Sequence, residues 1–177
     1  MPEDQSFDLA ISLDQIHLID EFFHINAPSA DGLETTLSVT CPERQMEIDR
    51  EAGRLRLHAV VGVHFLMFNG PVPEQPTQEE IDRAVISFGC ATEITVSSGV
   101  MSSSIPVGKH STWNGGDPES ERDKHMEHNM LLEAVRAGYS LSSSRMLQAT
   151  GLSFLGPVPM PFVDYDALLE QIEAAAE

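Results

Sequence analysis

Basic residues are scarce in this sequence. Only 10 of the 177 residues are lysine or arginine, whereas 28 are aspartate or glutamate, so the formal net charge is -18. Nucleic-acid phosphates and anionic membrane surfaces repel such a chain, which argues against both as partners. The acidity favours solubility, and it leaves the docking of a basic protein partner open.

Cysteines and long apolar runs are also few. Cys41 and Cys90 are the only two cysteines and lack CxxC spacing, so we expect reduced thiols rather than a disulfide scaffold. No apolar run approaches the ~20 residues that a membrane-spanning helix needs. The start, MPEDQSFDLA, lacks the features of a signal peptide. We therefore expect a cytoplasmic protein that does not insert into membranes.

Motifs for catalysis and for cofactor binding are missing. The many serines lie outside any GxSxG motif, and the glycines are scattered through turns instead of forming a phosphate-binding loop. We therefore expect no catalytic residues and no cofactor, and we do not expect an enzyme.

One histidine pair nevertheless keeps a second functional class open. The string KHMEHN places His125 and His128 three residues apart on a predicted helix, near His110 and Asp123. Such a pair can bind a metal, although it lacks the general base and the i, i+4 ligands of HExxH. A solvated helix face without metal is the preferred interpretation, and a metal-dependent enzyme using His125 and His128 is the alternative.

The clearest pattern present is a long central strand from Arg54 to Phe68. Its odd-numbered positions are apolar and most of its even-numbered positions are polar, which predicts a strand with one buried face. Val60, Leu66 and Phe68 add apolar groups to the polar side. At that end, both faces are therefore expected to be covered or to bind something.

Three further strands are predicted around the central one. The first runs from Ile16 to Ile25, the second from Arg44 to Asp49 and the fourth from Arg83 to Ser97. A four-residue turn makes the second strand an antiparallel neighbour of the central strand. The Thr- and Ser-rich stretch from Asn26 to Pro42 is interpreted as a long connection that can include one edge strand.

Helices are predicted only after the strands. Apolar residues at three- and four-residue spacing indicate a helix from about Glu119 to Thr150, with a kink or break near Gly138, and Gly151 ends it in the C′ position. A proline-rich extended stretch follows, and Asp164 caps a last helix. Strands first and helices last predict an α+β fold. Residues 1–10 are expected to form a flexible acidic N-terminal tail, and residues 11–177 a single domain.

The C-terminal string from Tyr139 to Leu169 resembles the SecB family of bacterial protein-export chaperones. A helix ended by Gly151, an apolar proline-rich loop and PFVDYDALLEQ follow in the family's order, and Ile16–Pro28 and Pro42–Asp49 are similar to its first two strands. The resemblance implies a four-stranded antiparallel sheet with a long crossover loop after the first strand, and two C-terminal helices packed on one face. It also implies a homotetramer, built as a dimer of dimers, that holds unfolded client polypeptides without ATP and passes them to the SecA motor for export.

Some positions depart from the family's pattern. His24 stands where the family carries a glutamate, and the loop from Gly99 to Pro118 is unlike the family's. A specialised relative that guards a toxin–antitoxin system, with an antitoxin as its partner, therefore fits as well as an export chaperone. The resemblance implies docking of a partner on acidic residues of the exposed sheet face, and the candidates are Asp20, Glu21, Glu47 and Asp49.

A surplus of large apolar residues supplies the candidates for client binding. Methionine and aromatic side chains form adaptable contact surfaces, and an extended client can also pair with a free sheet edge. Any one such residue is more often buried in the core or in a subunit interface. The set predicted to bind clients consists of Phe65, Leu66, Phe68, Trp113, Leu152, Phe154, Val158, Met160 and Phe162.

Overall fold

The computed structural model describes residues 11–28, 32–49, 54–98 and 121–174. In these ranges the elements are β1 (Ile11–Ile25), β2 (Leu33–Asp49), β3 (Arg54–Asn69), α1 (Gln78–Arg83), β4 (Ile86–Ser98), α2 (Glu121–Gly151) and α3 (Tyr165–Ala174). The expected N-terminal tail and Trp113 lie outside the described residues.

The strands form one antiparallel sheet in the order β1-β4-β3-β2. The chain crosses from one sheet edge to the other between β1 and β2, and α2 and α3 pack against the sheet, so the predicted α+β class is confirmed. The crossing is shorter than expected because β2 begins at Leu33. Leu37 and Val39 pair with Phe65 and Val63, so this stretch belongs to the sheet.

A bulge explains why the start of β2 is hard to see in the sequence. The register between β2 and β3 shifts between Thr40 and Glu43, where Cys41 and Pro42 lie. Proline has no N–H to donate to a ladder and is tolerated at bulges, so Pro42 interrupts the alternation without ending the strand. The early half and the late half of β2 therefore belong to one element.

The core lies between the sheet and α2. On β3, Leu55, Leu57, Ala59, Val61, Val63 and Phe65 are buried, which confirms the predicted parity of the central strand. Gly138 lets α2 approach closely, because a Cβ there would lie 2.8 Å from Val61 Cγ1. The helix runs unbroken through Gly138. Close packing on the sheet, and not a kink, accounts for this glycine.

Two local features differ from the sequence interpretation. The helix α1 lies in what was expected to be a loop, and Thr77 and Glu80 form a complete capping box at its start, so Arg83 belongs to α1 and not to the fourth strand. Gly151 is the last residue of α2, and the left-handed glycine of this region is Gly156, with φ of 72°. None of the helices in the four described ranges combines the length and the apolarity needed to cross a membrane.

The predicted cap of the last helix is confirmed. Asp164 Oδ1 accepts hydrogen bonds from the backbone N–H groups of Asp166 and Ala167, at 3.1 and 3.4 Å. The side chain thereby satisfies two donors at the start of α3, where Asp166 also suits the helix dipole. This cap fixes where the extended chain after α2 ends.

Candidate functional site

The segment between α2 and α3, residues 152–164 and here called the linker, exposes large apolar side chains. Leu152 is 98% exposed, Phe154 is 66% exposed and Phe162 is fully exposed. Three prolines in the segment prevent a helix and remove the N–H groups that a sheet would need. Exposed phenylalanines on a short segment are typical of a protein-binding surface.

The same linker turns its other side to the core. Met160 is buried, and Leu155, Val158 and Val163 are partly buried against the core residues. Of the predicted client-binding residues in this segment, the structure therefore places Leu152, Phe154 and Phe162 outside and Met160 inside. Val158 lies between these extremes. The outward group is the part that another molecule can contact.

Side chains of α2 hold the linker backbone. Thr150 Oγ1 accepts a hydrogen bond from Val158 N at 2.9 Å and donates one to Met146 O at 2.8 Å. Farther along, the Tyr139 hydroxyl donates a hydrogen bond to Pro161 O. The linker is therefore fixed at two points on either side of Met160.

Aromatic contacts surround the second of these points. The Tyr165 ring lies edge-on to Tyr139 with 5.9 Å between centroids, and Arg136 Cζ stands 5.5 Å from the centroid of Tyr165. Burial, with a further effect from Tyr165, raises the pKa of Tyr139 to about 12. The hydroxyl therefore remains a proton donor throughout the physiological range.

β1, an outer strand of the sheet, carries a second group of exposed apolar residues. Leu13, Leu18, Ile19 and Phe22 are between 43% and 54% exposed. β4 pairs with the inner side of β1, and no strand of the described ranges pairs with its outer side. Unpaired backbone groups flanked by apolar side chains favour pairing with another chain.

β1 is tied to the rest of the molecule by an ion pair. Arg145 Nε of α2 donates to Glu21 Oε2 at 2.6 Å, and the Glu21 side chain is 19% exposed. The Glu21 carboxylate raises the pKa of Arg145, because it accepts a hydrogen bond from the guanidinium and attracts its charge. This pair fixes β1 against α2 from the core side.

The sheet face opposite α2 carries a mixed surface. The Phe22 ring lies over Gly89, where an added Cβ would overlap Phe22 Cε1, and its centroid is 6.0 Å from that of His64. Farther along this face, Glu47 accepts from His58 at 3.1 Å and lies 3.6 Å from Arg56. One end of the face is thus aromatic and the other end is charged.

The structure separates the four acidic residues predicted to dock a partner. Asp20 is exposed and accepts from the backbone N–H of Glu21, and Glu47 lies on the face opposite α2 with His58 and Arg56. Glu21 points toward α2 instead, where Arg145 neutralises it. The side chain of Asp49 lies outside what the structure describes. On the open face, Asp20 is exposed, whereas Glu47 already interacts with His58 and Arg56.

The structure buries two of the three predicted client-binding residues of β3. Phe65 and Phe68 are buried, and Leu66 is half-buried on the face opposite α2. Phe65 pairs with Phe88 and Leu37 across the sheet, on the side that α2 covers. Because both phenylalanines lie inside the folded chain, the candidate surface does not include them. At this end of β3, Phe68 is buried and Leu66 stays half-buried, so the apolar groups on the polar side of the strand are only partly covered.

The described ranges offer little support for a metal site or for reactive thiols. His128 Nδ1 lies 3.7 Å from Glu173 of α3, and the side chain of His125 is not among those described. No group of three or more potential metal ligands occurs in the described ranges. Burial raises the pKa of both thiols, Cys41 and Cys90, which disfavours their thiolate forms.

The sequence analysis did not identify the apolar residues of β1 as an exposed surface. Leu13, Leu18, Ile19 and Phe22 looked like ordinary strand residues. A signal was present, since the neighbours Leu18 and Ile19 place apolar side chains on both sides of the strand. The position of β1 at the sheet edge could not be read from this pattern.

Comparison with known proteins finds a chaperone whose structure is similar to that of this chain. No family model matches the chain, and no curated protein matches it by sequence. The Mycobacterium tuberculosis Rv1957 SecB-like chaperone, solved in complex with a ChAD peptide from the Rv1956 HigA1 antitoxin, is similar in structure, with a TM-score of 0.50 and 13% identity over 87% of this chain and 91% of that one. A protein of unknown function from Streptococcus agalactiae is also similar, with a TM-score of 0.38, 13% identity and coverage of 87% and 98%. The first likeness shows that this chain shares a distant SecB-like fold.

Proposed function

We propose that this protein is a cytoplasmic, ATP-independent chaperone that holds unfolded or non-native polypeptides. The observation that carries the proposal is the exposure of Leu152, Phe154 and Phe162 on a linker whose backbone is fixed. Non-native chains expose apolar segments that aggregate, and a surface of this kind covers them. The fold shared with a SecB-like chaperone supports the same function.

The energetics of such a surface suit a holding function. Covering apolar surface is worth about 25 cal/mol per Å², so each exposed phenylalanine contributes roughly 1.5–3 kcal/mol when a client buries it. A dissociation constant of about 1 μM requires about 8.2 kcal/mol after the ordering of the client has been offset. Several apolar contacts must therefore act together, which favours clients that expose more than one apolar residue in a short stretch.

The apolar edge of β1 supports a proposal about assembly. Two copies that pair their β1 edges would cover Leu18 and Ile19 and satisfy the free backbone groups. We assign this edge to the dimer contact and the linker to client binding, and we propose a homotetramer built as a dimer of dimers. The two apolar regions then have different occupants.

The destination of the client follows one of two routes. The Rv1957 chaperone is known in complex with an antitoxin peptide, which supports a dedicated antitoxin as the client of this chain as well. The other route is export, with the SecA motor docking on Asp20 and Glu47 of the open sheet face. Co-expression with the neighbouring genes distinguishes the two routes. An antitoxin client encoded there would be stabilised by this chain, whereas on the export route the level of a secreted client would not depend on a single partner.

An aggregation assay tests the holding function. Phe162→Asp together with Phe154→Asp places charge on the linker surface, so we expect loss of most of the suppression of aggregation of thermally unfolded citrate synthase. Wild-type protein should suppress aggregation equally with and without ATP. Ser144→Ala, an exposed position on α2, is the matched control and should behave as wild type. Full suppression by the double variant, with an unchanged fold by circular dichroism, would contradict the proposal.

A further inference from the structure

The linker lacks the regular hydrogen bonds that normally fix a backbone, yet it follows a defined path. It lies between the end of α2 at Gly151 and the start of α3 at Tyr165. A chain without helix or strand is mobile unless other contacts hold it, and a client that binds a mobile chain bears the entropic cost of ordering it. What fixes the linker therefore affects how strongly its exposed residues bind.

Thr150 supplies the first fixed point. It is fully buried, and its Oγ1 accepts from Val158 N at 2.9 Å while donating to Met146 O of the same helix. The chain between Thr150 and Val158 is closed by short turns, with Ser153 N donating to Thr150 O at 2.8 Å and Gly156 N to Ser153 O at 3.1 Å. Phe154 is carried on this closed loop.

Tyr139 supplies the second fixed point. It lies three helical turns before the end of α2 and is 6% exposed, with its hydroxyl donating to Pro161 O. Pro161 directly precedes the fully exposed Phe162, and Met160 on its other side is buried. A bond to the carbonyl of Pro161 therefore fixes the direction in which Phe162 leaves the surface.

We propose that Thr150 and Tyr139 are positioning residues that hold the linker in its binding-competent form, so that Phe154 and Phe162 meet a client as a preformed surface. This inference rests on the proposed holding function and specifies how that surface achieves its affinity. Neither side chain contacts the client in this arrangement. Each acts through the linker backbone.

Two substitutions remove the hydrogen bonds while keeping the shapes of the side chains. Thr150→Val leaves Val158 N–H without its buried acceptor, and Tyr139→Phe removes only the hydroxyl that reaches Pro161. We expect affinity for reduced, thiol-blocked ribonuclease A, an unfolded basic chain, to fall about tenfold for Thr150→Val and about fivefold for Tyr139→Phe. The loss is smaller for Tyr139→Phe because water can reach the exposed Pro161.

Native-state proteolysis provides a readout that overall stability does not control. Chymotrypsin cleaves after exposed phenylalanines, and cleavage after Phe154 and Phe162 requires a mobile backbone. Both variants should be cleaved in the linker about fivefold to tenfold faster than wild type at a temperature well below unfolding. Thr150→Ser keeps the hydroxyl and should restore wild-type cleavage and affinity.

Ser144→Ala serves as the control on the same helix. Its hydroxyl donates to Ser140 O at 3.1 Å on the exposed side of α2, so the change removes a hydrogen bond that does not reach the linker. Cleavage and client affinity should match wild type in this variant. Equal cleavage rates in Thr150→Val, Tyr139→Phe and wild type would overturn the inference.

The outcomes separate this inference from the proposed function. If wild type binds the unfolded chain and the two variants bind it equally well, the positioning role is wrong while the holding function stands. If wild type does not bind at all, the holding function is wrong, and so is the proposal that the fixed linker serves clients. Faster cleavage and weaker binding in both variants, with rescue by Thr150→Ser, support the inference.

Discussion

The two edges of the sheet differ in how they meet solvent. β1 exposes Leu13, Leu18, Ile19 and Phe22 along its length, whereas β2 exposes only Leu33 among the large apolar residues of its described side chains. The middle of β2 presents Thr35, Ser38 and Thr40 to solvent. β1 is therefore an apolar edge and β2 a polar one.

Other local features of β1 and β2 accompany this difference in exposed apolar side chains. β2 carries Pro42 within its bulge, which removes a backbone donor, and α3 packs against this strand. β1 has register shifts at Asp14 and Ile19, yet Ile19 itself is exposed and apolar. Natural sheets protect edges that must stay single. The contrast supports the proposal that β1, and not β2, pairs with another copy of the chain.

A matched pair of charged substitutions tests this contrast most strongly. Leu18 on β1 and Leu33 on β2 are each 43% exposed, so a lysine at either position changes the surface by a similar amount. Leu18→Lys should raise the dissociation constant of self-association about 100-fold, because a charge would then be buried in the β1 contact. Leu33→Lys should leave it unchanged. Sedimentation velocity at several concentrations measures both, and an equal effect of the two variants would break the comparison.

Breaking the ion pair between Glu21 of β1 and Arg145 of α2 should have a smaller effect. Glu21→Gln removes the negative charge that pairs with Arg145, and since Glu21 is largely buried, the free energy of unfolding should fall by about 1–3 kcal/mol. Glu79→Gln breaks the Arg83 pair of α1, where both side chains are more than 70% exposed, and should change stability by less than about 0.5 kcal/mol. Urea unfolding followed by circular dichroism compares the two. If Glu79→Gln lowered the free energy of unfolding as much as Glu21→Gln, the structural role of the Glu21–Arg145 pair would be contradicted.

The smallest effect concerns the protection of β2. Pro42→Val restores a backbone N–H and adds a β-branched side chain, so the free energy of unfolding should change by less than about 1 kcal/mol while the edge becomes more able to pair. Thr40→Val, a neighbour that adds β propensity without adding a donor, is the control. Light scattering over days at high concentration should rise for Pro42→Val alone. Unchanged scattering would show that the proline does not protect this edge.

Much of the fold could be predicted because local geometry dictates it. The alternation from Leu55 to Phe65 and the helical spacing of the long helix correspond to the elements that form, and Asp164 caps α3 as its position suggests. The helix α1 was missed because it is short and buries no residue, although Thr77 and Glu80 marked its start. The sequence allowed an edge strand before Pro42 but did not show that this strand continues into the second half of β2, because Pro42 broke the pattern.

The candidate surface could be predicted only in part. Leu152, Phe154 and Phe162 were found because prolines exclude their segment from helix and sheet, whereas Phe65 and Phe68 are apolar residues of the same kind that lie in the core. Composition alone does not distinguish the two groups. The position of a residue relative to α2 and the sheet decides which of them reaches solvent.

The sequence by itself determined the strands, the long helix and the proline-rich break, because the periods of 2 and 3.6 residues are properties of the backbone. Only the tertiary structure decided which edge of the sheet is apolar, how Gly138 lets α2 meet Val61, and where Thr150 and Tyr139 hold the linker. These features depend on contacts between residues at least eight positions apart in the chain, and periods of 2 and 3.6 residues do not encode such contacts.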